Sequence, residues 1–303
     1  MTKRHVSLPD DAEATLRGFV SEVDDRLAAA SGPDELADAV TETLVDLHGA
    51  RDAYESWQND EHVSPTEAAR LANFDPRNAT LESEYYAEKD EDAFARSKPL
   101  QWLWRQFDNT PLADNVEFAL RFRRMLADHL FESVGDGVRL FKGISMTYGH
   151  NIELGDNVVV HDDVHLDDRG DLTIGDRASV SDGVHVYTHD HDVVDQTHVD
   201  NFHTIIGDDA RVTQGALVRA GVRIGENAIV GSRAVVQNDV PDHHIAVGMP
   251  AKSIKVKPGW ESVAEPVEDA GVNRQDERRI DYDLPDDLDA FDEFQRDRHP
   301  PDA

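Results

Sequence analysis

The residues best equipped for chemistry are histidines, and they are gathered in one place. His185, His189, His191, His198 and His203 all fall within VHVYTHDHDVVDQTHVDNFH. An imidazole with a pKa near about 6.5 can take the proton of an attacking alcohol at neutral pH, and it is also a common ligand of zinc. Asp190 and Asp192 flank His191 and are candidates to orient it. A second feature is Lys252, Lys255 and Lys257, a basic cluster in a very acidic chain, suited to phosphate groups. Cysteine is absent, which removes thiolate nucleophiles, thiolate zinc sites and disulfides.

The elements that must hold these residues follow from a six-residue period. From about Gly143, aliphatic residues recur at Leu154, Val160, Leu166, Ile174, Val180, Val186, Ile206, Val212, Val218, Ile224, Val230 and Val236. Two residues before each stands a small or aliphatic partner, from Ile152 and Val158 to Ala228 and Ala234. Six residues make one short strand and a turn, so three hexads make one triangular coil with both sets facing inward. The pattern predicts a parallel β-helix of about five coils, with corners of positive φ at the glycines after the aliphatic position (Gly155, Gly175, Gly207, Gly225, Gly231). The period breaks twice. Two residues are inserted around 167–171, and Tyr187–His203 is too long for a coil and must project as a loop, with His191 at its root.

Upstream, apolar stripes predict a helical hairpin, from Leu16 to Leu27 and from Leu36 to Leu47, broken at Gly32-Pro33. Ser64-Pro65-Thr66-Glu67 marks another helix start. Two more helices are expected over Leu100–Phe107 and Thr110–Phe131, with Trp102 and Trp104 as packing residues. The expected domains are an α-helical region over 1–135, a β-helix over 136–257, and an acidic, largely disordered tail over 258–303.

Acidic residues number 62 against 30 basic, a net charge of -32 spread along the chain. This argues against nucleic acid or an anionic membrane as partner, since both need a basic face. Such self-repulsion is best screened in molar salt, which points to a halophilic setting. Neither an apolar leader nor a run of about 18 apolar residues is present, so a cytoplasmic protein is expected.

The stretch from FKGISMTYGHNIELGDN through VHVYTHDHDV to DVPDHHIAVGMPAKSIK resembles the hexapeptide-repeat acyltransferases, in particular maltose and galactoside O-acetyltransferases, over roughly residues 85–257. The resemblance implies a left-handed β-helix, a homotrimer, and acetyl-CoA lying in a cleft between neighbouring β-helices. It also implies direct acyl transfer to a small hydroxyl acceptor such as a sugar, with no residue acylated. By motif position His191 corresponds to the family's general base, with His189 as the alternative two residues away. Backbone around Gly215, Ser232 and Ala234 would line the pantetheine arm, and Lys252 and Lys255 would meet its phosphates. No metal is expected. Where sugar acetyltransferases present asparagines, this chain has His161, Asp162 and Asp163, and Asn238 replaces a basic residue before the last DVP. Two other readings remain: a γ-type carbonic anhydrase on the same architecture, with three of the histidines on zinc, and a non-catalytic scaffold whose N-terminal helices recruit partners.

Overall fold

A computed structural model describes residues 6–194 and 198–282. The described residues form two units, one of residues 6–81 and 91–130 and one of residues 82–90, 131–194 and 198–282. None of its helices is long and apolar enough to cross a membrane.

The first unit is helical: α1 (Asp10–Ala28), α2 (Pro33–Leu47), α3 (Arg51–Gln58), α4 (Pro65–Ala72), α5 (Glu91–Asp108) and α6 (Val116–Leu130). Pro33 opens α2 with its preset φ, and the Ser64 hydroxyl accepts the Glu67 N–H at 3.2 Å to cap α4. Helix α5 begins well before the expected Leu100 and runs through Pro99. The apolar stripes meet at Phe107, Phe118 and Phe122, the first and last with ring centroids 4.3 Å apart. Trp104 is buried, and the Trp102 indole N–H donates to the Asn73 carbonyl at 3.0 Å, so both tryptophans pack rather than react.

The second unit is the β-helix, with five full coils and part of a sixth. The first coil is β1 (Ser133–Val134), β2 (Arg139–Leu140) and β3 (Ser145–Met146). The second is β4 (Ile152–Leu154), β5 (Val159–Val160) and β6 (His165–Leu166), and the third is β7 (Leu172–Ile174), β8 (Ser179–Val180) and β9 (His185–Val186). A hairpin of β10 (His189–His191) and β11 (Val199–Phe202) then leaves the helix. The fourth coil follows with β12 (Thr204–Ile206), β13 (Arg211–Val212) and β14 (Leu217–Val218), and the fifth with β15 (Arg223–Ile224), β16 (Ile229–Val230) and β17 (Val235–Val236). Strand β18 (His244–Gly248) joins the sixth turn and folds back as antiparallel β19 (Ala251–Val256). Each face stacks in parallel register, as in Glu153 beside Thr173 and Thr173 beside Ile205, so 32 residues separate partners where the hairpin emerges. The twelve aliphatic positions of the hexads are all buried, as their partner set requires.

The corner glycines have a different role from the expected one. Positive φ falls two residues later, at Asn157, Arg177, Asp209, Asn227 and Arg233. Glycine is needed before it because the coils touch there: a Cβ on Gly175 would stand 2.7 Å from the Asp208 nitrogen of the next coil. The carboxylates at these corners form a ladder, in which Asp156 Oδ1 accepts the Asp136 N–H and Asp176 Oδ1 the Asp156 N–H, both at 2.8 Å. Gly175→Ala should therefore cost about 1–3 kcal/mol of stability. Gly18→Ala, where a methyl meets nothing within 4 Å, should stabilise α1 by about 0.5–1 kcal/mol. Thermal melts of the two variants against the parent check both signs.

The expected open tail is closed over its first part. Residues 258–282 fold back on the β-helix, ending in β20 (Arg279–Ile280), which pairs antiparallel with β11. Arginines among the acids make this possible, since Arg278 finds Asp239 and Arg279 finds Asp200. The remainder of that expectation, 283–303, lies outside the described residues.

Candidate active site

Strands β10 and β11 pair antiparallel, His189 opposite Asn201 and His191 opposite Val199, so both histidines ride on a two-stranded arm of the third coil. Its root is tied by Asp167, which sits in the enlarged corner of the second coil and is 1% exposed. Asp167 accepts the Thr147 hydroxyl at 2.7 Å, the Thr188 N–H at 2.8 Å, the His189 N–H at 3.2 Å and His189 Nδ1 at 2.7 Å. Burial by itself would raise the pKa of Asp167. The hydrogen bond and charge of His189, with the Thr188 and Thr147 donors, outweigh burial and hold the carboxyl below its usual value. With Nδ1 donating to Asp167, the Nε2 of His189 is the ring nitrogen left without that proton.

His191, two residues on, is exposed, and its ring stands edge-on to that of His189 with centroids 5.5 Å apart. Of the two aspartates expected to orient it, Asp190 accepts the His191 N–H at 3.1 Å. Asp190 pairs with Arg219 of the fourth coil, Nε at 3.0 Å, and fastens β10 to the helix. Asp192 accepts the Val194 N–H at 2.7 Å and shapes the loop tip.

A ladder of rings leads up to the pair along the outer surface of β6 and β9: His165 to His185 at 5.6 Å, His165 to Tyr187 at 5.6 Å and Tyr187 to His189 at 6.2 Å. The Ser145 hydroxyl lies 3.0 Å from His165 Nδ1, and burial lowers the pKa of that ring. Segment 82–90, separated in sequence from the coils by two helices, packs here. Arg169, 4% exposed, pairs with Glu88 and lies 3.9 Å over the Tyr86 ring; its desolvation brings the guanidinium down to about 10. Tyr86 in turn donates its hydroxyl to Glu82 at 2.9 Å. Beside Asp167, Asp168 is fully buried and accepts the N–H groups of Thr147, Tyr148 and Asn151 at 2.9, 2.7 and 3.3 Å. Burial, reinforced by its charged neighbour, pushes Asp168 up to about 7.

Sequence reasoning missed Asp167, Arg169, Glu82 and Tyr86. For the first two a signal existed, since the two-residue break at 167–171 is where the corner swells to receive buried charge. Gly215, at φ +66, and Ser232 both sit exposed on corners of the fourth and fifth coils; Gly215 donates to the Asp182 carbonyl at 3.0 Å and the Ser232 hydroxyl is 3.3 Å from that of Thr213. Ala234 is buried, with its N–H bonded to the Gly231 carbonyl and its carbonyl to Leu217 N–H, so it backs this surface from inside. Lys252 and Lys255 are exposed on β19, whereas Lys257 Nζ is held by the Asn227 carbonyl at 3.0 Å. For the zinc alternative, His165 and His185 do stack on successive coils, but among the described residues no three His, Asp or Glu side chains converge as a metal site.

No protein-family model matches the chain. Individual proteins do. The chain is 32% identical over 144 residues to "Putative acetyltransferase SACOL2570" of Staphylococcus aureus (strain COL), covering 44% of this chain and 69% of that protein. It is 30% identical over 154 residues to "Putative colanic acid biosynthesis acetyltransferase WcaF" of Escherichia coli (strain K12), covering 50% and 85%. Among solved structures, a maltose O-acetyltransferase from Clostridium difficile 630 superposes with a TM-score of 0.51 at 30% identity, over 59% of this chain and 98% of that one. With the coils, the projecting histidine arm and these relatives in agreement, the chain belongs to the hexapeptide-repeat acetyltransferases.

Proposed function

We propose that the protein transfers an acetyl group from acetyl-CoA to a hydroxyl of a small acceptor, a sugar in the first instance, with His191 as general base. The observation that carries this reading is the histidine arm, tied at its root to a buried carboxylate and projecting from a rigid coil. His191 removes the acceptor's proton as its oxygen attacks the thioester carbonyl. The tetrahedral intermediate then expels the coenzyme A thiolate, which takes that proton from the imidazolium, and backbone N–H groups at the coil edge serve the oxyanion. Lys252 and Lys255 meet the donor's phosphates, and the backbone of Gly215, Ser232 and Ala234 flanks its arm. The similarity to a maltose O-acetyltransferase supports a hydroxyl acceptor, and a homotrimer would bring a neighbouring coil against the arm.

One observation favours a second assignment of the base within the same reaction. The His189 ring is oriented by a buried carboxylate, the arrangement that fixes a tautomer for proton transfer. The test of the activity itself is thiol release from acetyl-CoA by the purified protein in molar salt, across a panel of sugars and amino sugars. Acceptor-dependent release is the expected result. The reading fails if no acceptor stimulates release while the protein remains folded.

A further inference from the structure

The chain beyond β19 returns to the histidine arm and, among the described residues, makes its one strand pairing there. Strand β20 pairs with β11, Asn201 opposite Ile280 and Phe202 opposite Arg279, and the Arg278 carbonyl accepts the His203 N–H at 2.8 Å. The Arg278 side chain points the other way, into the β-helix. It holds Asp239 with both nitrogens, at 3.0 and 2.6 Å, and donates to the Gly221 carbonyl at 2.5 Å. Arg278 and Asp239 are 14% and 16% exposed, so this is a largely desolvated pair rather than a surface contact. Gln275 and Phe202 close over Gly221. The Arg279 guanidinium covers the Phe202 ring at 5.4 Å and pairs with Asp200. Further on, the Tyr282 hydroxyl donates to the carbonyl of Arg169 at 3.2 Å, two residues from the Asp167 that anchors His189.

One short segment thus touches the end of the fifth coil, the outer strand of the arm and the corner beneath its root. Without it β11 would have a partner on one edge only, and a two-stranded hairpin alone is marginally stable in water. We propose that residues 275–282 are a strap that positions the histidine arm, with Arg278 as the positioning residue that locks the strap to the β-helix. The proposal rests on the acyl-transfer reading for its catalytic consequence, though not for its structural one. The strap makes the geometry of the base depend on a segment some ninety residues downstream.

The test uses the full chain carrying Arg278→Met or Arg278→Lys, with amide hydrogen exchange and steady-state kinetics read in parallel. For Arg278→Met the expected result is exchange in β10 and β11 faster by about tenfold or more, with coil amides as slow as in the parent. The kcat should fall about tenfold while KM for acetyl-CoA stays within about twofold, because misplacing a catalytic group by a fraction of an ångström penalises the chemical step. Arg278→Lys, which keeps the charge opposite Asp239, should recover part of both. Unchanged protection of the arm in Arg278→Met overturns the strap, and so does loss of protection throughout the coils, which would make Arg278 a general stability residue. If the parent shows no transfer with any acceptor, the acyltransferase reading fails, and the exchange data still decide the strap.

Discussion

Replacing His191 by alanine is expected to lower kcat by about 10²–10⁴-fold, the range lost when a positioned general base is removed. His191 is exposed on a strand whose pairing with β11 does not involve its side chain, so the β-helix should melt as in the parent. His189→Ala should be milder, about tenfold, through the looser root of the arm once the bond to Asp167 is gone. Measured together, the two variants assign the base. A loss concentrated in His189→Ala, with His191→Ala near parental activity, moves the proton-transfer role to the ring that Asp167 orients. Equal and complete losses in both, without additivity in the double variant, would mean that the two rings, 5.5 Å apart, act as one unit.

The repeat was readable from the sequence because the interior of a β-helix is the most periodic environment a chain can occupy. Val160, Val180, Val212 and Val230 stack in one column, and each must fit the same gap. The projecting loop was readable for the converse reason: Tyr187–His203 has no place in the period. What lay outside reach was everything set by contacts between distant stretches. Asp167 looks like one more acid in an acidic chain, and only the fold shows it buried against Thr147, Thr188 and His189. Segment 82–90 follows a helix and precedes a helix, so nothing in its own pattern says that Tyr86 and Glu88 meet Arg169. The corner glycines show a subtler limit. Their spacing was legible, but whether glycine answers to φ or to the closeness of the next coil depends on geometry that spacing does not carry. The strap was hidden by composition, because a stretch rich in Asp and Glu reads as solvated until Arg278 is seen to have a largely desolvated partner in Asp239.

Asp168 should leave a mark on stability that isolates it from every other acid. Its folded pKa, about 7, lies above its ordinary 3.8, so folding favours the protonated carboxyl. Stability from this group is full below about pH 4 and is lost as pH rises toward 7, by about 4 kcal/mol for a shift of roughly three units. Asp167 titrates in the opposite sense, since its lowered pKa contributes stability that disappears only on acidification below the ordinary carboxylate range. Other groups also respond between pH 4 and 7. Asp171, with a pKa raised by partial desolvation, adds to the loss on the alkaline side, while His150 and His165, lowered by burial, take stability away as pH falls through about 6.5. The parent curve is therefore a sum, and the informative quantity is its difference from Asp168→Asn. The amide is neutral at every pH and keeps one acceptor for the Thr147 and Tyr148 N–H groups, but it loses the carboxylate oxygen that meets Asn151. The variant should be less stable than the parent at pH 5, and the gap should close or reverse by pH 8. Denaturant midpoints at pH 5, 6.5 and 8, at constant molar salt so that the charge of -32 is screened equally, give the comparison. Parallel curves would show that Asp168 stays ionised across this range, with its three backbone N–H partners outweighing burial.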